Sequence, residues 1–322
     1  MIKNARFSCR VTPQGWVADW QLSDGWSVLP QGAVANQAWA FDDRPVCWDA
    51  WDIDPFFEDH ADCIDSPAQI DVIEQGPLLI RLRIERNWRS SRWIQELTVT
   101  ADSSLIEVEN WVDWREANTL LKVALPTVLR PETAHYEIQF GAIQRPAHRN
   151  DDFAAARFEV PAQRWGALHE LGYTAAILND CKYGYDANEG CLRLTLIKSS
   201  TSPDPTADQG SHHFRYALVA YRGEWSALTP IARAFANPMV CVKGHSTRIA
   251  PPCGRSFEHL MLDTIKPAEE GQAVIARFFE FAGRSSEMPI LPELTVDLLE
   301  QECPDTSTLM PYQIVSKKID VS

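Results

Sequence analysis

The feature that most constrains this chain is a repeated alternation of apolar and polar residues with a period of two. Residues 78–85 read Leu-Leu-Ile-Arg-Leu-Arg-Ile-Glu, and residues 105–112 read Leu-Ile-Glu-Val-Glu-Asn-Trp-Val. Such alternation places one face of a β-strand in a core and the other in solvent. Similar strands are predicted at residues 191–198, 214–220, 273–281 and 294–300. Because turn residues separate these strands and no strand-helix-strand rhythm occurs, the sequence predicts an all-β protein of antiparallel sheets packed face to face.

One segment departs from this pattern and predicts a helix. Residues 225–236 place four apolar side chains on one helical face, and the Asn237-Pro238 pair ends the helix. A stretch rich in Gly and Pro follows at residues 241–255, and the chain beyond it has strands of its own. We therefore predict three parts, which are a large β domain at residues 1–222, a helical connector at residues 223–240 and a small β-sandwich at residues 241–322.

Charge and cysteine usage exclude several classes of protein. The 44 acidic residues outnumber the 30 lysines and arginines, which leaves a formal net charge of -14. A chain this acidic is not expected to bind nucleic acid, and a neutral or cationic ligand suits it better. The eight cysteines form no CxxC pair, so no zinc ribbon is predicted. Because the sequence has no apolar leader, no run of 18 apolar residues and no N-x-S/T sequon, we expect a cytoplasmic protein with free thiols and no membrane association.

The densest unusual segment is residues 39–65, which contain nine acidic and six aromatic side chains. Aromatic rings beside carboxylates suit a sugar site, since rings cover C–H patches and carboxylates accept hydrogen bonds from hydroxyl groups. The alternative is a strand whose tryptophans pack in a core while its acidic residues stay in water. The residues alone leave both interpretations open.

No motif predicts a catalytic centre or a metal site on this chain. GxSxG, P-loop and GxGxxG patterns are all absent. Glycosidases use two carboxylates about 5 to 10 Å apart, but 44 acidic residues offer too many pairs to choose from. His60 and Asp62 have no second ligand cluster at a matching spacing, and adjacent His212 and His213 on a strand point to opposite faces. The residues alone therefore predict an all-β domain with a carbohydrate surface as one option.

A series of short motifs carries a family resemblance. In chain order they are DRP at 43–45, WDAWDID at 48–54, YEIQFG at 136–141, QRP at 144–146, HRN at 148–150, ARFEV at 156–160, RW at 164–165, LNDCKYGYD at 178–186, PDP at 203–205 and ADQG at 207–210. This series resembles the C-terminal region of family 38 α-mannosidases, in particular the cytosolic and bacterial branch. The match extends from the first strands to about Gly223, and the residues beyond match only in strand pattern.

The resemblance implies a galactose-mutarotase-like β-supersandwich followed by a small C-terminal β-sandwich. In such enzymes the zinc ion, the aspartate nucleophile and the acid/base carboxylate lie in an amino-terminal barrel and a helical domain, and nothing in this sequence resembles either. The resemblance therefore implies no catalytic residue, cofactor or metal ligand on this chain, with zinc belonging to the catalytic domain. The implied partners are that catalytic barrel, on the same or a separate chain, and a mannose-containing oligosaccharide.

In the family, loops of the sandwich pack against the barrel and complete the rim of the sugar site. The positions that match such loops here are Trp48, Asp49, Trp51, Asp52, Asp54, His148, Asp180, Lys182, Tyr183, Lys198, Asp204, Asp208 and Gln209. Each also has a purely structural interpretation, as core residue or turn former. We further expect residues 48–54, 182–183 and 198–209 to form one contiguous surface.

Three functional hypotheses follow from these observations. The first is a part of an active α-mannosidase that needs its catalytic barrel, so that this chain alone is inactive. The second is a non-catalytic carbohydrate-binding module, which exposed side chains at Trp48 and Trp51 would favour. The third is a vestigial structural domain without a ligand.

Overall fold

The structure, a computed structural model, describes residues 1–244, 259–287, 294–304 and 308–320. It divides into two compact units, of which the first comprises residues 1–136 and 144–225 and the second comprises residues 137–143 and 226–322. The limits of the three predicted parts stay predictions. Most of the stretch rich in Gly and Pro that we predicted at residues 241–255 lies outside the described residues.

The described residues form 24 strands and few helices. The strands are β1 (Ile2–Lys3), β2 (Phe7–Val11), β3 (Val17–Leu22), β4 (Gln37–Asp42), β5 (Ala61–Cys63), β6 (Gln69–Gln75), β7 (Leu79–Trp88), β8 (Ser91–Thr100), β9 (Leu105–Trp114), β10 (Thr119–Pro126), β11 (Thr133–Ile138), β12 (Gly141–Pro146), β13 (Val160–Pro161), β14 (Trp165–Glu170), β15 (Tyr173–Asn179), β16 (Gly184–Asn188), β17 (Cys191–Ser199), β18 (Gly210–Arg222), β19 (Leu260–Pro267), β20 (Ala273–Glu280), β21 (Ser286–Glu287), β22 (Leu294–Val296), β23 (Thr308–Leu309) and β24 (Ile314–Asp320). The helices are α1 (Asp152–Ala155), α2 (Leu228–Ala236) and two 3-10 turns, Phe57–His60 and Trp225–Ala227. The predicted all-β class is confirmed.

Two large sheets dominate the fold. The nine-stranded sheet has the order β12-β11-β14-β15-β18-β9-β8-β7-β6, and the six-stranded sheet has the order β13-β16-β17-β10-β4-β5. The pairs that join β7, β8, β9 and β18 are antiparallel, as are those that join β10 to β4 and β17. A three-stranded sheet, β1-β2-β3, precedes them in the chain. The predicted antiparallel sheets are therefore present.

The alternation seen in the sequence decides which side chains are buried. In β9 the even-numbered residues from 106 to 114 are buried, while the odd-numbered residues face outward. The buried side chains join one large core in which Trp88 and Trp114 stack with ring centroids 5.7 Å apart. Burial of each large apolar side chain contributes about 1.5 to 3 kcal/mol, so this core supplies much of the stabilisation.

The same core contains a buried polar cluster. The side-chain amide of Gln95 donates to Asn110 Oδ1 at 3.0 Å and to the hydroxyl of Tyr216 at 3.0 Å. The ring nitrogen of Trp93 donates to the same Asn110 oxygen at 3.0 Å, and the Tyr216 hydroxyl donates to Asn36 Oδ1 at 2.5 Å. Because these groups satisfy one another, the polar residues at inward positions of β8, β9 and β18 do not carry the full cost of desolvation.

A tight turn joins β16 to β17 and depends on a glycine. Glu189 and Gly190 have φ values of 46° and 76°, which suits a two-residue hairpin turn. A Cβ at Gly190 would lie 2.2 Å from the carbonyl oxygen of Leu129. Backbone conformation and close packing therefore both require glycine at this position.

The second unit has its own small core. Its four-stranded sheet has the order β19-β20-β24-β22, and Leu260, Phe278 and Val315 are buried together. The predicted helix at residues 225–236 is present as a 3-10 turn followed by α2, which buries Leu228 and Phe235. No helix in the described part of the chain is long and apolar enough to span a membrane.

Most strand predictions hold, but one is too long. The strands predicted at residues 191–198, 214–220 and 273–281 correspond to β17, part of β18 and β20. The strand predicted at residues 294–300 ends at Val296. There the Asp297 carboxylate accepts hydrogen bonds from the backbone of Leu299 and Gln301. This local bonding reverses the chain, so that Glu302 forms an antiparallel bridge back to Val296.

Candidate functional site

The loop that follows β4 exposes two tryptophans. Trp48 and Trp51 are each 73% exposed, and their ring centroids lie 6.5 Å apart in an edge-to-face arrangement. The Trp48 carbonyl accepts hydrogen bonds from the backbone N–H groups of Trp51 and Asp52 at 2.7 and 2.8 Å, which fixes the turn. The alternative that these tryptophans pack in a core is therefore wrong.

Asp49 joins this loop to the chain that follows β17. Its Oδ2 atom accepts hydrogen bonds from the backbone N–H groups of Thr201 at 2.7 Å and Ser202 at 3.0 Å. Burial by itself would raise the pKa of Asp49, but these hydrogen bonds and the nearby Lys198 charge hold that pKa below its ordinary value. The carboxylate therefore acts as a bridge between two loops that are about 150 residues apart in sequence.

Lys198 strengthens the same junction. Its Nζ atom donates to the Asp49 carbonyl oxygen at 2.5 Å and lies 2.7 Å from Oδ2 of the buried Asp43. The other Asp43 oxygen accepts a hydrogen bond from the backbone of Asp54 at 2.9 Å. Both ends of the loop at residues 43–54 are thus attached near the end of β17.

Three other predicted carboxylates act mainly as local turn formers. Asp52 and Asp54 each accept a hydrogen bond from a backbone N–H group within two residues of themselves. Asp204 accepts from the backbone and the hydroxyl of Thr206, at 2.9 and 3.0 Å, and these bonds lower the pKa of the Asp204 carboxyl. Their structural interpretation is supported, and a contact with sugar stays a prediction.

Lys182 lies close to the end of the loop at residues 198–209. Its Nζ atom sits 4.4 Å from the ring centroid of Phe214. Burial lowers the pKa of Lys182, and the negative charge of Asp208 opposes this effect. Next to it Tyr183 is exposed. Asp49 is hydrogen-bonded to the loop at residues 198–209, while a single face shared by Trp51, Tyr183 and Asp204 stays a prediction.

The remaining predicted residues have separate surroundings. Asp180 pairs with Arg215 on β18 at 3.2 Å. His148 is half-buried and accepts a hydrogen bond from a backbone N–H two residues later, at 3.3 Å. Asp208 and Gln209 are exposed, the former with a carbonyl 2.7 Å from His212. Their role at a sugar rim or domain interface stays a prediction.

Sequence reasoning missed a buried ionic network on the six-stranded sheet. Lys122 is fully buried in β10, and its Nζ atom lies 2.7 Å from Asp186 Oδ2 and also pairs with Glu159. The Arg193 Nε atom lies 2.7 Å from Asp186 Oδ1. Burial alone would raise the pKa of Asp186, but the two adjacent cations hold it below its ordinary value. Asp186 is therefore an ionised residue at the centre of the network.

The network continues to the 3-10 turn Phe57–His60, just beyond the loop at residues 43–54, which we call the tryptophan loop. Glu58 in this turn pairs with both Arg193 and Arg149. Phe57 is buried against Phe41, with ring centroids 4.9 Å apart. The three cations of the network thus face three carboxylates, and together they attach the end of the loop segment to the sheet.

One sequence signal could have revealed the network. Lys122 interrupts the apolar run Leu120-Leu121-Lys122-Val123, and a charged residue inside such a run needs a buried partner. Glu159 and Asp186 stand inside motifs that resemble the family, but no local pattern pairs them with a lysine on β10. Among the residues that the structure describes, no group of three His, Cys, Asp or Glu side chains is placed to hold a metal ion.

Comparison with protein families gives two matches in order along the chain. A family model described as "Glycosyl hydrolases family 38 C-terminal domain" matches residues 2–206. A second, described as "Glycosyl hydrolases family 38 C-terminal beta sandwich domain", matches residues 259–316. The second match covers the part of the sequence in which our motif series found only strand pattern.

Curated relatives share the family and are much longer. Alpha-mannosidase 2C1 of Homo sapiens is 32% identical over 98% of this chain, which covers 33% of that protein. Alpha-mannosidase of Saccharomyces cerevisiae is 30% identical over 76% of this chain and 24% of that protein. The chain thus spans about a third or less of these relatives.

Solved structures agree with this assignment. The alpha-mannosidase from Enterococcus faecalis V583 superposes with a TM-score of 0.77 at 14% identity, over 99% of this chain and 42% of that one. At this identity the likeness shows the fold. Taken with the two family matches, it shows that the chain belongs to glycoside hydrolase family 38 and corresponds to the C-terminal part of its α-mannosidases.

Proposed function

We propose that this chain is the C-terminal β-sandwich portion of a zinc-dependent, retaining α-mannosidase that hydrolyses terminal α-mannosyl residues of oligosaccharides. The catalytic barrel is supplied by another part of the same polypeptide or by a separate one. In this role the chain contributes surface and stability to the active enzyme and has no turnover of its own.

The observation that carries this proposal is the ordered pair of family matches at residues 2–206 and 259–316. The geometry agrees with it, because Asp49 and Lys198 hold the tryptophan loop firmly to β17 while both rings remain in solvent. Two neighbouring exposed tryptophans are unfavourable on a surface that contacts only water, and they suit a surface that binds sugar or another domain.

Zinc belongs to the catalytic domain in this proposal. The described residues offer no ligand set for it, so we assign no step on this chain to the metal. We also propose a cytoplasmic location. The seven cysteines of the described residues are all free thiols, which suits a reducing compartment.

The test is reconstitution with a catalytic barrel. The chain is assayed with an aryl α-mannoside alone, with added zinc, and together with the family 38 barrel polypeptide of the same organism. We expect turnover only when the barrel is present, with greater activity or thermal stability than the barrel shows alone. Turnover by the chain alone that is lost on chelation would contradict the proposal. So would a barrel whose activity and thermal stability are the same with and without the chain.

A second candidate is a carbohydrate-binding module, which the exposure of Trp48 and Trp51 favours. Its test is titration of the chain with mannobiose and mannotriose by calorimetry. The module is supported if Trp51→Ala removes sugar binding while Leu171→Ala leaves it intact. Leu171 is 89% exposed and lies outside the loop after β4, so it serves as the control. Absence of sugar binding to the loop would rule out this second candidate.

A further inference from the structure

The outer face of the nine-stranded sheet carries two parallel rows of side chains. In the first row Ile94 on β8 lies opposite Trp111 on β9, which lies opposite His213 on β18. The second row contains Arg92, Asp113 and Ser211 in the same order. Members of the two rows are two residues apart on each strand, so all six side chains project from one face.

A slot of about 280 Å³ lies at these two rows. The residues that line it are Arg92, Ile94, Trp111, Val112, Asp113, Ser211, His212 and His213. The first row forms an apolar and aromatic wall, and the second forms a polar wall with a small residue, Ser211, at one end. The volume is just below the roughly 300 to 1,000 Å³ usual for ligand pockets, so the slot suits a ligand of one or two small rings.

The aromatic wall is ordered and reaches solvent. The rings of Trp111 and His213 lie nearly parallel, with centroids 5.3 Å apart and an angle of 19°. Trp111 is 36% exposed, although its strand neighbours Asn110 and Val112 are buried. The His213 ring is held by Glu109, with Nε2 2.7 Å from the carboxylate oxygen. One face of the Trp111 ring is therefore covered by His213, and the exposed remainder of the ring lines the slot.

The polar wall has no uncompensated charge. Arg92 Nε donates to Glu85 at 2.7 Å, and the Asp113 carboxylate lies 2.8 Å from the guanidinium of Arg115. Since each charged group at the slot has a counter-ion, a charged ligand gains little there. A neutral ligand with several hydroxyl groups can still use the spare donors of Arg92, the spare lone pairs of Asp113 and the hydroxyl of Ser211.

We propose that this slot binds a neutral carbohydrate unit. The C–H face of the sugar packs on Ile94 and Trp111, and its hydroxyl groups bond to the polar wall of Arg92, Asp113 and Ser211. One amphipathic ring between an apolar and a polar wall is the arrangement that sugars require. The inference goes beyond the proposed function, because binding here needs neither a catalytic barrel nor the tryptophan loop.

The test is calorimetric titration of the full chain with a panel of methyl glycosides of mannose, glucose and galactose, and with mannobiose. We expect at least one neutral sugar to bind. Trp111→Ala should weaken that binding about tenfold or more, equivalent to a loss of about 1.4 kcal/mol. Ser211→Gln, a change at an exposed position that fills the slot, should weaken it similarly without affecting thermal stability.

The matched control is Leu171→Ala, at a residue that is 89% exposed and belongs to neither the slot nor the loop after β4. Retained binding in this variant, with loss in Trp111→Ala and Ser211→Gln, supports the slot. Loss in Trp51→Ala alone would place the sugar on the loop and overturn the inference. Failure of every sugar in the panel to bind the unaltered chain would overturn it as well, and neither result would affect reconstitution with the barrel.

Discussion

We predict that His135 makes the stability of this protein sensitive to mild acid, because its side chain is buried. The side chain lies on β11 and is 6% exposed, with its ring stacked on Trp225 at a centroid distance of 4.7 Å. Its Nε2 atom lies 2.9 Å from the amide of Gln144, and within the described residues Nδ1 has no hydrogen-bond partner. Burial, followed by the nearby charge of His169, lowers the pKa of His135 from 6.5 to about 4.

The sign of the effect follows from proton linkage. Between about pH 6.5 and 4 the unfolded chain binds a proton at His135 that the folded chain does not, so the free energy of unfolding falls as the pH falls. The contribution is fully present above about pH 6.5 and is lost as the pH approaches 4. Since each tenfold change in proton affinity is worth about 1.4 kcal/mol, His135 accounts for a loss of about 3 kcal/mol.

The perturbation that isolates this effect is His135→Phe, which keeps an aromatic ring on Trp225 and removes the titrating group. Urea unfolding followed by tryptophan fluorescence gives the free energy of unfolding at pH 7, 5.5 and 4.5. The unaltered protein should lose more stability over this range than the variant does, by most of the 3 kcal/mol estimated above. Leu78→Ala, at an exposed residue that does not titrate, serves as the control and should leave the pH dependence unchanged. Equal losses in His135→Phe and the unaltered protein would refute the reasoning.

Two further predictions concern the buried network and the turn before β17. Asp186→Asn should lower the free energy of unfolding by about 3 to 5 kcal/mol, because it removes the central carboxylate of the network and leaves Lys122 buried. The control, Asp19→Asn at an exposed ion pair, should lower the free energy of unfolding by less than about 1 kcal/mol. Equal costs in urea unfolding would disprove a structural role for the network. Gly190→Ala should lower the melting temperature more than Gly32→Ala, because both positions have positive φ but open space surrounds the latter. The opposite order would show that the packing at this turn is misassigned.

The sequence alone determined the class of the fold and the family. Period-two alternation is a local property, so the buried and exposed faces of β9 could be assigned from residues 105–112 without knowledge of its neighbours. The motif series was likewise sufficient for the resemblance to family 38, which the family matches confirm. From the same local pattern we predicted a strand at residues 294–300 that is too long. The pattern could not show that hydrogen bonds to the Asp297 side chain form a turn there.

Only the tertiary structure decided which distant residues meet. Register brings Lys122 on β10 beside Asp186 on β16, and it places Trp111 in a row with His213, about 100 residues away along the chain. The sequence also could not decide whether Trp51 is buried or exposed, because a tryptophan in an acidic segment suits a core as well as a surface. The structure places Trp51 in solvent. Strand pairing is non-local, so the alternation of one strand specifies which side chains share a face but not which neighbouring strand supplies their partners.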